Sequence, residues 1–213
     1  YAVYSKNNNI NSHFKEMLLS IESLKKHIPN ANVCVYTNVD VQEIPKLIDN
    51  FIHDTNMDKR LICKAKALLK SPYEKTILLD TDTYIYRPIL NDLFEDVLNE
   101  FNFACVHGNA KPNKGKVYPD LNSGLIAVNF NEHSRRLIND WISRFDKLGS
   151  FADQTTLREV FLENKKDFYI LPPYFMYRWN HMCTYPEQAV LVHDHCMSKE
   201  KVTKNLISTL RTA

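Results

Sequence analysis

The apolar positions along the chain change period several times, and each change marks an element. From Ser12 to His27, Phe14, Met17, Leu18, Ile21, Leu24 and Ile28 recur at three- and four-residue steps, which predicts an amphipathic helix. Pro29 and Asn30 stop it. Ahead of it, Ala2 to Ser5 reads as a first strand followed by a polar loop, "KNNN". "NVCVYTN" reads as a second strand, and "KLIDNFIHD" contains a third. Asp58 is placed to cap a helix running from about Lys59 to Leu69, ended by Ser71 and Pro72. Lys75 to Leu79 is then a buried strand that runs directly into Asp80, Thr81 and Asp82.

Beyond Pro88 a short helix within "ILNDLFEDVLNEF" precedes the strand "FACV", and residues 107–120 form a long polar loop. "GLIAVNF" is another strand, and helices follow near Glu132–Phe145 and Asp153–Glu163. The remainder holds "DFYILPP", an aromatic stretch, "YFMYRWNHMCTY", and a last strand, "AVLVH". Strands and helices alternate through the first half. That order predicts an α/β fold, a mostly parallel, mixed central sheet flanked by helices, in a single domain over 1–213. In such sheets ligands bind beyond the carboxyl ends of the strands, and Asp80 and Asp82 lie at such an end.

Composition narrows the function classes. A formal charge of +2 argues neither for a nucleic-acid surface nor for an acidic tail, so no nucleic-acid partner is expected. No apolar run reaches the roughly 18 residues that a membrane span needs. Cys34, Cys63, Cys105, Cys183 and Cys196 are scattered, odd in number and without a CxxC pair, which reads as buried free thiols in a reducing compartment. The absence of a recognisable targeting segment fits a cytoplasmic protein of bacterial or viral origin; because the chain opens at Tyr1 inside an apparent strand, a trimmed lumenal domain is the alternative. The four glycines form neither GxGxxG nor a Walker loop, so a phosphate would have to be held by side-chain cations or a metal.

Two carboxylates one residue apart at a strand exit repel each other and disfavour the apolar side of the boundary. A divalent cation, Mn²⁺ or Mg²⁺, removes that repulsion, since both are hard ions that take oxygen ligands. Taken alone, the pair fits equally well a turn in which one aspartate caps and the other faces water.

Further residues extend the pattern: Lys64 sixteen residues before Asp80, the turn Asn122-Ser123-Gly124, the pair Asp153-Gln154 opening a helix, and His193 with Lys199 six residues on. In this order they resemble the GT-A glycosyltransferases, especially the glycogenin-like and family 8 enzymes that use nucleotide-diphosphate sugars. The resemblance runs across nearly the whole chain and implies a GT-A, Rossmann-like fold. It also implies a Mn²⁺- or Mg²⁺-dependent enzyme that moves a hexose from a UDP-sugar to a glycan or glycoprotein acceptor, with retention. Asp80, Asp82 and His193 would be metal ligands. Lys64, Asp80, Asn122, Ser123 and Lys199 would bind the donor, with Tyr4 and Ser5 meeting its base. Asp153 and Gln154 would lie at the reacting sugar. The chain departs from the family at Cys196, where a glycine is common, and His195 is an alternative to His193 as ligand. The stretch Arg178, Trp179, Asn180 and His181 reads either as core or as an acceptor platform. Two rival readings are a haloacid-dehalogenase-like phosphatase, for which "LLDTDTY" would supply the phosphoryl acceptor, and a non-catalytic module that binds nucleotide sugars or glycans.

Overall fold

The computed structural model describes residues 1–108, 120–149, 153–177 and 188–193. The first strand, β1, covers only Ala2–Val3, and the first helix, α1, spans Ser12–His27 as its periodicity predicts. The Asn11 side chain caps α1 by accepting from the Phe14 N–H, and Lys25 and Lys26 complement the dipole in its last turn. Phe14, Met17 and Ile21 are buried against Val3, Val33 and Val35. Each such side chain contributes roughly 1.5–3 kcal/mol through removal from water. β2 (Cys34–Thr37) lies between β1 and β3 (Asn50–His53), parallel to both.

Helix α2 is shorter than its pattern suggests, Cys63–Leu69. Asp58 explains the late start. Its carboxylate accepts from the Arg60 N–H and guanidinium and from Lys66 Nζ, so it holds a local turn and does not cap a helix at residue 59. β4 (Lys75–Leu79) follows, and then β5 (Thr83–Ile85), which sequence periodicity did not single out. The helix expected after Pro88 forms a 3₁₀ turn, Pro88–Asn91, and a single π turn, Leu93–Val97.

β6 (Phe103–His107), β7 (Leu121–Asn129) and, after helices α3 (Glu132–Leu148) and α4 (Asp153–Glu163), β8 (Phe168–Leu171) complete the second sheet, in the order β4-β7-β6-β8. β7 is antiparallel to both neighbours, whereas β6 and β8 are parallel, so this second sheet is mixed. The last strand, β9 (Leu191–His193), pairs antiparallel with β5.

Helix α3 opens with a capping box between Asn131 and Ser134 and closes at Gly149 in the left-handed region, φ 54°. Its amphipathic face buries Leu137, Ile138, Trp141 and Phe145 against Ile126, Val128 and Phe103 of the second sheet. The Trp141 indole N–H donates to the Asp153 carbonyl at 2.9 Å, which fixes where α4 begins. Among the described residues no helix is long and apolar enough to cross a membrane.

Candidate active site

Antiparallel pairing of β4 with β7 brings Leu79 opposite Leu125, and the Asp80 N–H donates to the Gly124 carbonyl at 2.8 Å. The polar triplet Asn122-Ser123-Gly124 lies inside β7 and not in a turn ahead of it. The pairing with β6 jumps there, from Ile126 opposite Cys105 to Asn122 opposite Val106, so the triplet forms an irregularity in the ladder. One contact is internal to it: Asn122 Oδ1 accepts from the Gly124 N–H at 2.9 Å. Gly124 has no room for a side chain. A Cβ there would stand 2.8 Å from Asp80 Oδ2 and 2.8 Å from Met176 Cε.

Lys64 reaches this place from α2. Its Nζ donates to Asp80 Oδ1 at 2.7 Å and to Ser123 Oγ at 3.3 Å, and lies 3.5 Å from Asp153 Oδ2. The Ser123 hydroxyl in turn donates to Asp153 Oδ2 at 2.6 Å. Four residues far apart in sequence thus form one connected network in which Ser123 and Asp153 are buried. Burial works against the Lys64 ammonium, but the Asp80 and Asp153 carboxylates outweigh it and hold its pKa above the ordinary lysine value. Lys64 is therefore a fixed positive charge. The neighbouring Cys63 is a different case: burial pushes its thiol up to about 12, which leaves no thiolate for nucleophilic chemistry at neutral pH.

On the other side of Asp80 stands His193, at the end of β9. Its Nε2 lies 3.0 Å from Asp82 Oδ1 and 3.6 Å from Asp80 Oδ2. One ligand atom from each of Asp80, Asp82 and His193 falls within 4.8 Å of the others. His193 and Asp82 are buried, and Asp80 is partly exposed. Two carboxylate oxygens and an imidazole nitrogen, gathered from two separate segments, fit a hard or borderline divalent ion with room for further oxygen ligands.

The remaining expected residues fall as follows. Tyr4 is half-buried just past β1; burial, with Cys63 beside it, raises its phenol above the usual value, so it is a neutral hydrogen-bonding group. Ser5 is buried, with its N–H donating to Asn38 Oδ1 at 2.8 Å and its hydroxyl to Asn7 Oδ1. Gln154 is half-buried in the first turn of α4, next to Asp153. Lys199, His195 and the stretch Arg178–His181 lie outside the described residues. The residues that the sequence pattern passed over are Ser20 and Thr83, fully buried behind the Asp80–Asp82 segment. A cavity of about 360 Å³ lined by Tyr1, Cys34, Tyr36, Leu68 and Ile77 includes none of the candidate site residues and no carboxylate, so it takes no part in this chemistry.

No family model matches the sequence, and neither does any curated protein. Solved structures share the fold. The galactosyltransferase LgtC, crystallised with donor and acceptor sugar analogues, superposes with a TM-score of 0.62 at 12% identity, over 92% of this chain and 86% of LgtC. Mouse xyloside xylosyltransferase 1 in its apo form gives 0.58 at 13%, over 92% of this chain and 96% of that one. The glycosyltransferase GlyE of Streptococcus pneumoniae TIGR4 gives 0.63 at 16%, over 94% of this chain and 55% of GlyE. The chain has the GT-A fold of these glycosyltransferases.

Proposed function

We propose that this GT-A chain is a metal-dependent glycosyltransferase that moves a hexose, glucose-like, from a UDP-sugar to a glycan or glycoprotein acceptor, with retention at the anomeric carbon. The observation that carries the reading is the convergence of Asp80, Asp82 and His193 at the carboxyl end of β4, directly beside the Lys64 network. Three strands precede β4, an arrangement that the haloacid-dehalogenase reading does not accommodate.

In this reading Asp80, Asp82 and His193 hold Mn²⁺ or Mg²⁺, which when bound offsets the charge that develops on the leaving diphosphate. Lys64 orients Asp80 through its 2.7 Å contact and adds fixed positive charge to the donor side of the cleft. Ser123 turns Asp153 toward the sugar, and Asn122 and Gln154 supply neutral hydrogen bonds to its hydroxyls. Tyr4 and Ser5 border the base, which would be uracil. Lys199 takes the diphosphate oxygens, an assignment that rests on its spacing from His193. In the transfer, the bond from the anomeric carbon to the diphosphate oxygen breaks and a bond to the acceptor oxygen forms. The acceptor proton passes to the departing diphosphate, so no protein nucleophile is required.

Thermal unfolding tests the shared site. UDP and Mn²⁺ together should raise the melting temperature by more than the sum of their separate shifts, because each ligand completes the other's site. Strictly additive shifts would refute a common metal–diphosphate site.

A further inference from the structure

Helix α1 packs directly on β5. The contact contains hydroxyls where an apolar face is expected. Ser20 and Thr83 are fully buried and Ser23 nearly so. Ser20 Oγ and Thr83 Oγ1 lie 2.9 Å apart, the Tyr1 hydroxyl is 2.8 Å from Ser20 Oγ, and Thr83 Oγ1 is 2.8 Å from the Asp80 carbonyl. The carbonyl fixes the direction of the whole chain. It can only accept, so the single Thr83 proton goes to it; Ser20 must then donate to Thr83, and Tyr1 to Ser20. Aligned donors of this kind polarise one another and resist reorientation. Ser23 adds a second tie, accepting from the Ile85 N–H at 2.9 Å and donating to the Ser20 carbonyl at 2.7 Å. Helix side chains thus take the place of a neighbouring strand on that edge of β5.

Thr83 is the residue at which three constraints meet. Its hydroxyl holds the backbone of Asp80, its own peptide joins Asp82, and it stands opposite His193 in the β5–β9 ladder. Every candidate metal ligand is therefore one step from it. We propose that Ser20 and Thr83 are positioning residues, a buried hydroxyl relay from α1 that sets the spacing of Asp80, Asp82 and His193 for a divalent ion. The proposal rests on the metal-site reading above and adds to it the residues that pre-organise the site. The structural cost of burying these hydroxyls supports it, since alanine and valine would fill the same contact without polar atoms to satisfy.

The test is direct titration with Mn²⁺ alone, following the free-ion electron paramagnetic resonance signal, alongside metal-free melting temperatures. Supporting groups of this kind typically change metal affinity by about 10–100-fold. Ser20→Ala and Thr83→Val should each weaken Mn²⁺ binding by about tenfold or more, while Thr83→Ser, which keeps the hydroxyl, should stay within about twofold of the unmodified chain. Ser134→Ala is the control for general destabilisation. It removes another buried hydroxyl, the α3 cap, near the opposite end of β4, and should lower the melting temperature without changing Mn²⁺ affinity. The proposal is overturned if Ser20→Ala and Thr83→Val bind Mn²⁺ normally, or if Ser134→Ala loses affinity to the same degree. If Thr83→Val does not fold, Ser20→Ala and Thr83→Ser still decide the matter. Failure of the unmodified chain to bind Mn²⁺ at all would instead remove the metal-site reading, and the relay's role with it.

Discussion

The Lys64 ammonium donates to Asp80 Oδ1 at 2.7 Å while standing 3.5 Å from Asp153 Oδ2, so one cation from α2 joins the exit of β4 to the start of α4. Lys64 therefore offsets the charge of Asp80 even without a metal, and His193 Nε2 lies close to both Asp80 and Asp82 on the other side.

Lys64→Met should be strongly destabilising, by about 3 kcal/mol, because it leaves two carboxylates without their shared partner. The sign of the pH dependence follows from the raised lysine pKa. Stability that Lys64 contributes is fully present below the unfolded lysine value of about 10.4 and is lost as pH rises through the folded one. The stability difference between the two proteins should accordingly stay level from neutral pH to about pH 10 and shrink above it. Denaturant melts at several pH values measure this, and a difference that grows above pH 10 would contradict the assignment.

Gly124→Ala should separate site geometry from fold. The added methyl meets Asp80 Oδ2 and the Met176 terminus at 2.8 Å; the flexible methionine can swing aside, but the carboxylate, its other oxygen tied to Lys64, must turn its Oδ2 out of its place beside His193. A stability loss of about 1–3 kcal/mol is expected for such overpacking. Mn²⁺ affinity should fall by more than about tenfold, as when a group orienting a ligand is displaced. Calorimetric titration compared with metal-free melting would show whether the two effects part in this way.

Ser123→Ala should act on the sugar end of the site. The hydroxyl donates to Asp153 Oδ2 at 2.6 Å, so its loss frees the carboxylate proposed to meet the hexose while Asp80, Asp82 and His193 keep their geometry. A charge-assisted hydrogen bond of this kind is worth about 1.5–3 kcal/mol. The expected outcome is a kcat lowered by roughly tenfold or more with UDP affinity unchanged. A matching loss in UDP binding would place Ser123 with the diphosphate instead.

The limits of the sequence reading have physical causes. Helix α1 was legible because its apolar residues keep a single period, and the strand before Asp80 because five residues of it carry no charge beyond Lys75. β5 was missed: three residues between an aspartate and a tyrosine are too few to show alternation, and its edge is satisfied by Ser23 from a helix. Ser20 falls outside the apolar positions that predict α1, and only its 2.9 Å contact with Thr83 shows why a hydroxyl is there. The carboxylates and His193 could be named from their order and spacing. That Lys64 bridges Asp80 and Asp153 depends on how α2 packs on β4 and α4 on β7, and no local pattern encodes this.

Nucleotide release tests the central claim most directly. The chain would be incubated with a panel of UDP- and GDP-sugars and Mn²⁺, and liberated nucleoside diphosphate measured with and without EDTA, for the unmodified chain and for Asp82→Asn. The account predicts release of UDP from a UDP-hexose, abolished by EDTA and by Asp82→Asn, with the variant's metal-free melting temperature close to that of the unmodified chain. No release from any nucleotide sugar would leave a binding module in place of an enzyme. Release that persists undiminished in EDTA or in Asp82→Asn would contradict the metal-dependent mechanism itself.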